Sequence, residues 1–164
     1  MKKILFTALS LLLLAACNGG EGNPPTEPQW LTDTRTMLVG SWHGERFYNA
    51  LNCLDCEDIV FSPFDNSREI VSLFGTFEAY GTANVVQYRY VEQKQDTLSK
   101  LSIRCFYTLS QWGGDIILSF YRCDEDDFVV NREDGRVFNR ISDTEFLMRG
   151  RYASTETTKT YKLQ

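Results

Sequence analysis

Downstream of residue 40 the chain alternates apolar and polar residues with a period of two, which commits nearly all of it to β-structure. In "ANVVQYRYVEQ", Val86, Tyr88 and Tyr90 alternate with Gln87 and Arg89; in "KLSIRCFYTLSQ", Leu101, Ile103, Cys105, Tyr107 and Leu109 alternate with mostly polar neighbours. Similar segments are "GSWHGERFYNA", "EDIVFSPF", "REIVSLFGTFEAYG", "GDIILSFYR", "GRVFNRI", "TEFLMRGRYA" and "TKTYKLQ". Turn signals separate them at Pro63 to Asn66, Gly81, Gly113-Gly114, Asp134-Gly135, Ser142-Asp143 and Ala153-Ser154. With no long amphipathic helix, the pattern predicts an all-β fold: an antiparallel up-and-down barrel of eight or nine strands, or a sandwich. A short helix over Leu31 to Met37 fits just before the first strand.

The N-terminus follows other rules. "MKKILFTALSLLLLAAC" has two lysines and then an apolar run from Ile4 to Ala16. A membrane-crossing helix needs roughly 20 apolar residues, so this shorter run fits a secretory signal. Leu14-Ala15-Ala16-Cys17 resembles the lipobox of bacterial lipoproteins. The resemblance implies a signal peptide over 1–16 and an acylated Cys17, with chains such as palmitate, as the mature N-terminus. Several acyl chains hold a protein stably to a membrane where one is marginal. Asn18 stands where an aspartate would mean inner-membrane retention in enteric bacteria, which points to the outer membrane.

Residues 17–29 carry three glycines and three of the four prolines. They cannot bury enough apolar surface to offset ordering entropy, and read as a tether. The remaining stretch, 30–164, is long enough for one domain with a real core. A net charge of −5 argues against a nucleic-acid partner. The membrane, through the lipid, is the partner that is implied, and a protein partner is not identifiable.

Within the folded region, "LVGSWHGERF" looks like the Gly-x-Trp entry of lipocalin-like barrels. "YGTANVVQYRY", "IRCFYTLSQWGGDIILSFY" and "ISDTEFLMRGRY…YKL" are similar in order and spacing to small lipocalin-like lipoproteins of the Bacteroidetes. That resemblance implies a lipocalin-like barrel over 30–164, with Trp42 as a structural plug across its closed end, and a small apolar or amphipathic ligand in its mouth. A second, local resemblance competes: "YNALNCLDCEDI" is similar to the Cys-x-Asp-Cys-Glu stretch of NlpE-type outer-membrane lipoproteins. It implies an envelope interaction or stress- and metal-sensing protein that binds no ligand in its barrel. Asn52 replaces that family's proline and Asp58 its glycine.

Cys53, Cys56, Cys105 and Cys123 allow disulfides, a zinc site or a redox pair. An exported chain favours disulfides. Only Cys53 and Cys56 are close in sequence and no βαβ pattern surrounds them, which argues against a metal or redox role. If Gly113-Gly114 is a two-residue turn, Tyr107 faces Phe120, Leu109 faces Leu118 and Cys105 faces Arg122. A three-residue loop instead sets Cys105 against Cys123. The apolar match favours the first register, and with it a local Cys53–Cys56 bridge; a Cys105–Cys123 bridge is the alternative.

Catalytic material is sparse. A single histidine, His43, expected to face solvent, leaves little for nucleophilic catalysis. The acidic run Asp124 to Asp127 lacks the spacing of a calcium loop. The expectation is therefore a protein that is not an enzyme and holds no cofactor and no metal. The aromatic content of 13 % suits either a filled lumen or a lined cavity, and a small barrel favours filling. A continuous apolar lumen of about 300 Å³ or more would mark a ligand-binding barrel.

Overall fold

The computed structural model describes residues 27–48, 52–72, 75–91, 96–124, 127–150 and 158–164. The signal peptide, Cys17 and most of the tether lie outside the described residues, as do Ala153 and Ser154. Helix α1 (Gln29–Leu38) leads into eight strands: β1 (Gly40–Tyr48), β2 (Cys53–Ser72), β3 (Gly75–Val91), β4 (Asp96–Trp112), β5 (Asp115–Asp124), β6 (Asp127–Ser142), β7 (Glu145–Gly150) and β8 (Lys159–Leu163). They close in sequence order into an antiparallel barrel, sealed where β1 meets β8 from Trp42↔Leu163 to Glu45↔Thr160. Closure removes the unpaired edges that an open sheet would expose. The expectation of an all-β, antiparallel up-and-down barrel holds, with eight strands.

The β4–β5 hairpin takes the two-residue turn. Gly113 (φ 58°) and Gly114 (φ 92°) supply the two positive φ angles that a type I′ turn requires. The resulting register pairs Tyr107 with Phe120, Leu109 with Leu118 and Cys105 with Arg122.

Three expected turns are absent. Pro63 to Asn66 forms an irregularity inside β2, where pairing with β3 skips from Pro63 to Arg68. Gly81 lies inside β3. A Cβ there would sit 2.3 Å from the Ser62 carbonyl oxygen and 2.6 Å from the Tyr107 ring, so glycine serves close approach rather than a turn. Asp134-Gly135 runs through β6. The continuous β2–β3 hairpin therefore extends past the barrel as an arm, and its Val71 and Ser72 pair in parallel with Val129 and Val130 of β6. The arm packs Phe64, Phe77 and Ala79 over Phe106 and Tyr121, so Cys105 to Leu109 are buried on both faces of β4.

The core fills one end of the barrel. Trp42, Ile59, Phe61, Tyr107, Leu118, Phe138, Phe146 and Met148 are all buried there, and Leu31 and Leu38 of α1 pack against them. Leu31, Thr34 and Leu38 share one helix face. Trp42 packs against Phe146 with ring centroids 4.5 Å apart in a tilted contact, and its indole Nε1 donates to the Leu38 carbonyl at 2.9 Å, tying helix to barrel.

Candidate functional site

Alternation along β1 to β3 sorts the polar residues into two groups on opposite sides of the barrel wall. The inward series on β1 is Trp42, Gly44, Arg46, Tyr48; on β2 it is Cys53, Asp55, Glu57, Ile59, Phe61. The lumen is thus apolar at the α1 end and polar towards Tyr48 and Cys53.

Glu57 sits at the junction, 1 % exposed. It pairs with the Arg136 guanidinium, and accepts from Tyr161 Oη at 2.5 Å and Gln87 Nε2 at 2.5 Å. Burial alone would raise the Glu57 carboxyl; the Arg136 charge and hydrogen bonds outweigh it and hold it at about 2. Burial and the Glu57 charge push the Tyr161 hydroxyl well above its ordinary range. Nearer the open end, Asp55 accepts from Arg46 Nε at 2.8 Å and pairs with Lys159 at 3.3 Å. Arg46 and Arg89 both approach the Tyr48 ring.

The outward series brings different chemistry together. Antiparallel pairing sets His43 against Asp58 and Glu45 against Cys56, and Tyr88 of β3 flanks Cys56. His43 Nδ1 lies 2.6 Å from Asp58 Oδ1, and Nε2 lies 3.4 Å from Glu45 Oε2. Burial lowers the His43 pKa, but the hydrogen bonds and charges of Asp58 and Glu45 outweigh it, and the net direction is up. Burial and the Glu45 charge push the Cys56 thiol up to about 11. Burial, and then the neighbouring Asp58 and Cys56, push the Tyr88 hydroxyl up to about 12.

The expected Cys53–Cys56 bridge is not formed: Cys53 and Cys56 are free, buried thiols, and Cys105 is buried as well. Three residues of extended strand separate the first two by about 10 Å and point them to opposite faces. A disulfide needs Cα atoms roughly 4.4–6.8 Å apart. The same alternation keeps Cys53 and Cys105 inside and Cys56 outside, so these three do not form a thiolate cluster. The Cys123 side chain lies outside the described part of the structure; its backbone pairs with Val130, and Cys105 with Arg122. His43 faces outward as expected, part-exposed and hydrogen-bonded to Asp58. Glu125 and Asp126 of the acidic run lie outside the described residues.

Neither polar group is apparent from sequence spacing. The signal for both is the alternation of "CLDCED", which carries Asp55 and Glu57 inward and Cys56 and Asp58 outward. A groove of about 380 Å³ lies outside the lumen, between the arm and β4–β5, lined by Phe77, Tyr80, Ile117, Tyr121 and several hydroxyl side chains.

Residues 1–18 match the family of prokaryotic membrane lipoprotein lipid attachment sites. With the barrel, this supports a lipid-anchored envelope lipoprotein. No curated protein and no solved structure matches the chain.

Proposed function

We propose that the protein is a binding module without catalytic activity, anchored through acylated Cys17 to the outer membrane, that takes the anionic head of a small amphipathic molecule into the open end of its barrel. The carrying observation is charge placement in the lumen. Among the described side chains, Arg46, Arg89, Arg136 and Lys159 point inward against only Asp55 and Glu57, in a chain whose net charge is −5. Glu57 and Arg136 compensate one another, leaving Arg46, Arg89 and Lys159 around Asp55. Cations gathered in a low-dielectric wall focus potential on an entering anion.

An apolar molecule fits less well, because the apolar half of the lumen is already occupied by Trp42, Phe61, Tyr107 and Phe146. Leu101, exposed beside Gln87, offers a rim for a short apolar tail. The lipocalin-like resemblance of the Gly-Ser-Trp entry supports the same reading.

Native mass spectrometry of the purified lipoprotein should detect a co-purified anionic amphiphile, and calorimetry should detect dodecanoate binding. Arg46→Gln combined with Lys159→Gln should weaken that binding at least tenfold. Absence of both a bound species and a heat of binding would refute the proposal.

A further inference from the structure

The outer wall carries a second arrangement, separate from the lumen and independent of the reading above. His43, Glu45 and Cys56 each offer one ligand atom, and all three atoms lie within 4.8 Å of one another. The three residues come from two directly paired strands, so the ladder rather than a loop holds their spacing.

We propose that His43, Glu45 and Cys56 form a zinc site on the outer wall of the barrel, with a fourth position open to water or to a donor from outside. The ligand set is one nitrogen, one carboxylate oxygen and one sulfur. Calcium and magnesium take oxygen ligands, whereas this mixed set suits a borderline cation with four tetrahedral positions. With bonds of about 2.0–2.3 Å, tetrahedral geometry places ligand atoms roughly 3.5 Å apart. His43 Nε2 and Glu45 Oε2 already stand 3.4 Å apart, and no separation in the set exceeds 4.8 Å, so closing the site asks for movement on the order of an ångström.

The surroundings of the three residues fit the same assignment. Metal-bound histidines commonly donate their other ring nitrogen to a carboxylate, which fixes the tautomer and ring orientation. Asp58 stands in that place: with Nδ1–H donated to Asp58 Oδ1 at 2.6 Å, the Nε2 lone pair faces Glu45. Tyr88, paired across from Cys56 on β3, flanks the sulfur on the third side. Cys56 is buried while Glu45 and His43 reach solvent, giving a cation a route to the sulfur from one direction. On binding, the thiol and the imidazole act as thiolate and neutral ligand, and the thiol proton passes to solvent.

The test uses the full mature lipoprotein in detergent, reduced and freed of metal. Zinc titrated by calorimetry should bind with a stoichiometry of one. Cobalt(II) as a spectroscopic substitute should give a thiolate-to-metal charge-transfer band and the visible bands of a tetrahedral ion. Cys56→Ser should abolish the charge-transfer band, His43→Gln should weaken zinc binding at least tenfold, and Asp58→Asn should weaken it 10- to 100-fold. Cys53→Ser, on the opposite face of β2, should bind as the unsubstituted protein does. His43→Gln, on a half-exposed position, keeps the test valid if Cys56→Ser does not fold. No cobalt–thiolate band, or zinc binding unchanged in His43→Gln, would overturn the assignment.

Discussion

The Glu57–Arg136 pair offers the sharpest check on how the lumen is built. Glu57→Leu removes a carboxylate that engages both terminal nitrogens of Arg136 together with Gln87 and Tyr161, at a site 1 % exposed. A guanidinium left in that environment without its counter-charge should cost about 3–5 kcal/mol. For a domain of this size that is a fall in melting temperature of roughly 10–20 °C. Arg136→Leu should cost a similar amount, because the carboxylate would then be buried without its cation. The double variant should recover at least about 2 kcal/mol relative to the sum of the two, since no buried charge remains. Recovery should be incomplete, because Tyr161 and Gln87 lose their acceptor at about 1 kcal/mol each. The pH dependence has a definite sign. The carboxyl is held at about 2 in the folded protein against 4.5 otherwise, so its stabilisation is complete above pH 4.5 and is lost as pH falls towards 2. Glu57→Leu should flatten that limb of the stability profile. Urea denaturation of the four proteins from pH 2.5 to 7 measures all of this. A single-variant cost below about 1 kcal/mol, or strictly additive losses, would refute a buried, coupled pair.

Cys17→Ser should move the protein from the membrane to the soluble fraction, read by fractionation and immunoblot; retention on membranes would contradict anchoring through that residue. Trp42→Ala removes a fully buried indole packed against Phe146 and hydrogen-bonded to Leu38, and should cost about 3–5 kcal/mol in chemical denaturation. A loss under about 1 kcal/mol would show the closed end to be loosely packed. The Tyr107 hydroxyl is buried with no hydrogen-bond partner among the described residues, so Tyr107→Phe should be neutral or stabilise by about 1 kcal/mol. A loss above about 1 kcal/mol would reveal a partner for that hydroxyl. Alkylation of the denatured, unreduced protein should label Cys53 and Cys56, as peptide mapping would show; protection of the two together would restore the local bridge.

Some of this molecule was legible in the chain alone because it depends on neighbours in sequence. Alternation with a period of two commits a segment to strand whatever it later pairs with. Consecutive glycines between two apolar-matched runs set the β4–β5 register, since only a two-residue turn keeps Tyr107 on Phe120 and Leu109 on Leu118. The lipid attachment signal is likewise a contiguous pattern, read at residues 1–18.

Tertiary structure decided what depends on which strand stands beside which. Pro63 and Gly81 are turn formers in isolation. Facing each other across β2 and β3, they become a bulge and a point of close approach, and the hairpin continues as an arm over β4 and β5. The cysteine spacing at 53 and 56 invites a bridge until the segment is extended, when the same spacing sends one thiol into the lumen and the other to the outer wall. His43 and Cys56 are remote in sequence, and Glu57 and Arg136 more so. His43 and Cys56 meet through the register of the β1–β2 pair, whereas Glu57 and Arg136, on β2 and β6, meet because closing eight strands into a barrel brings their side chains into one lumen.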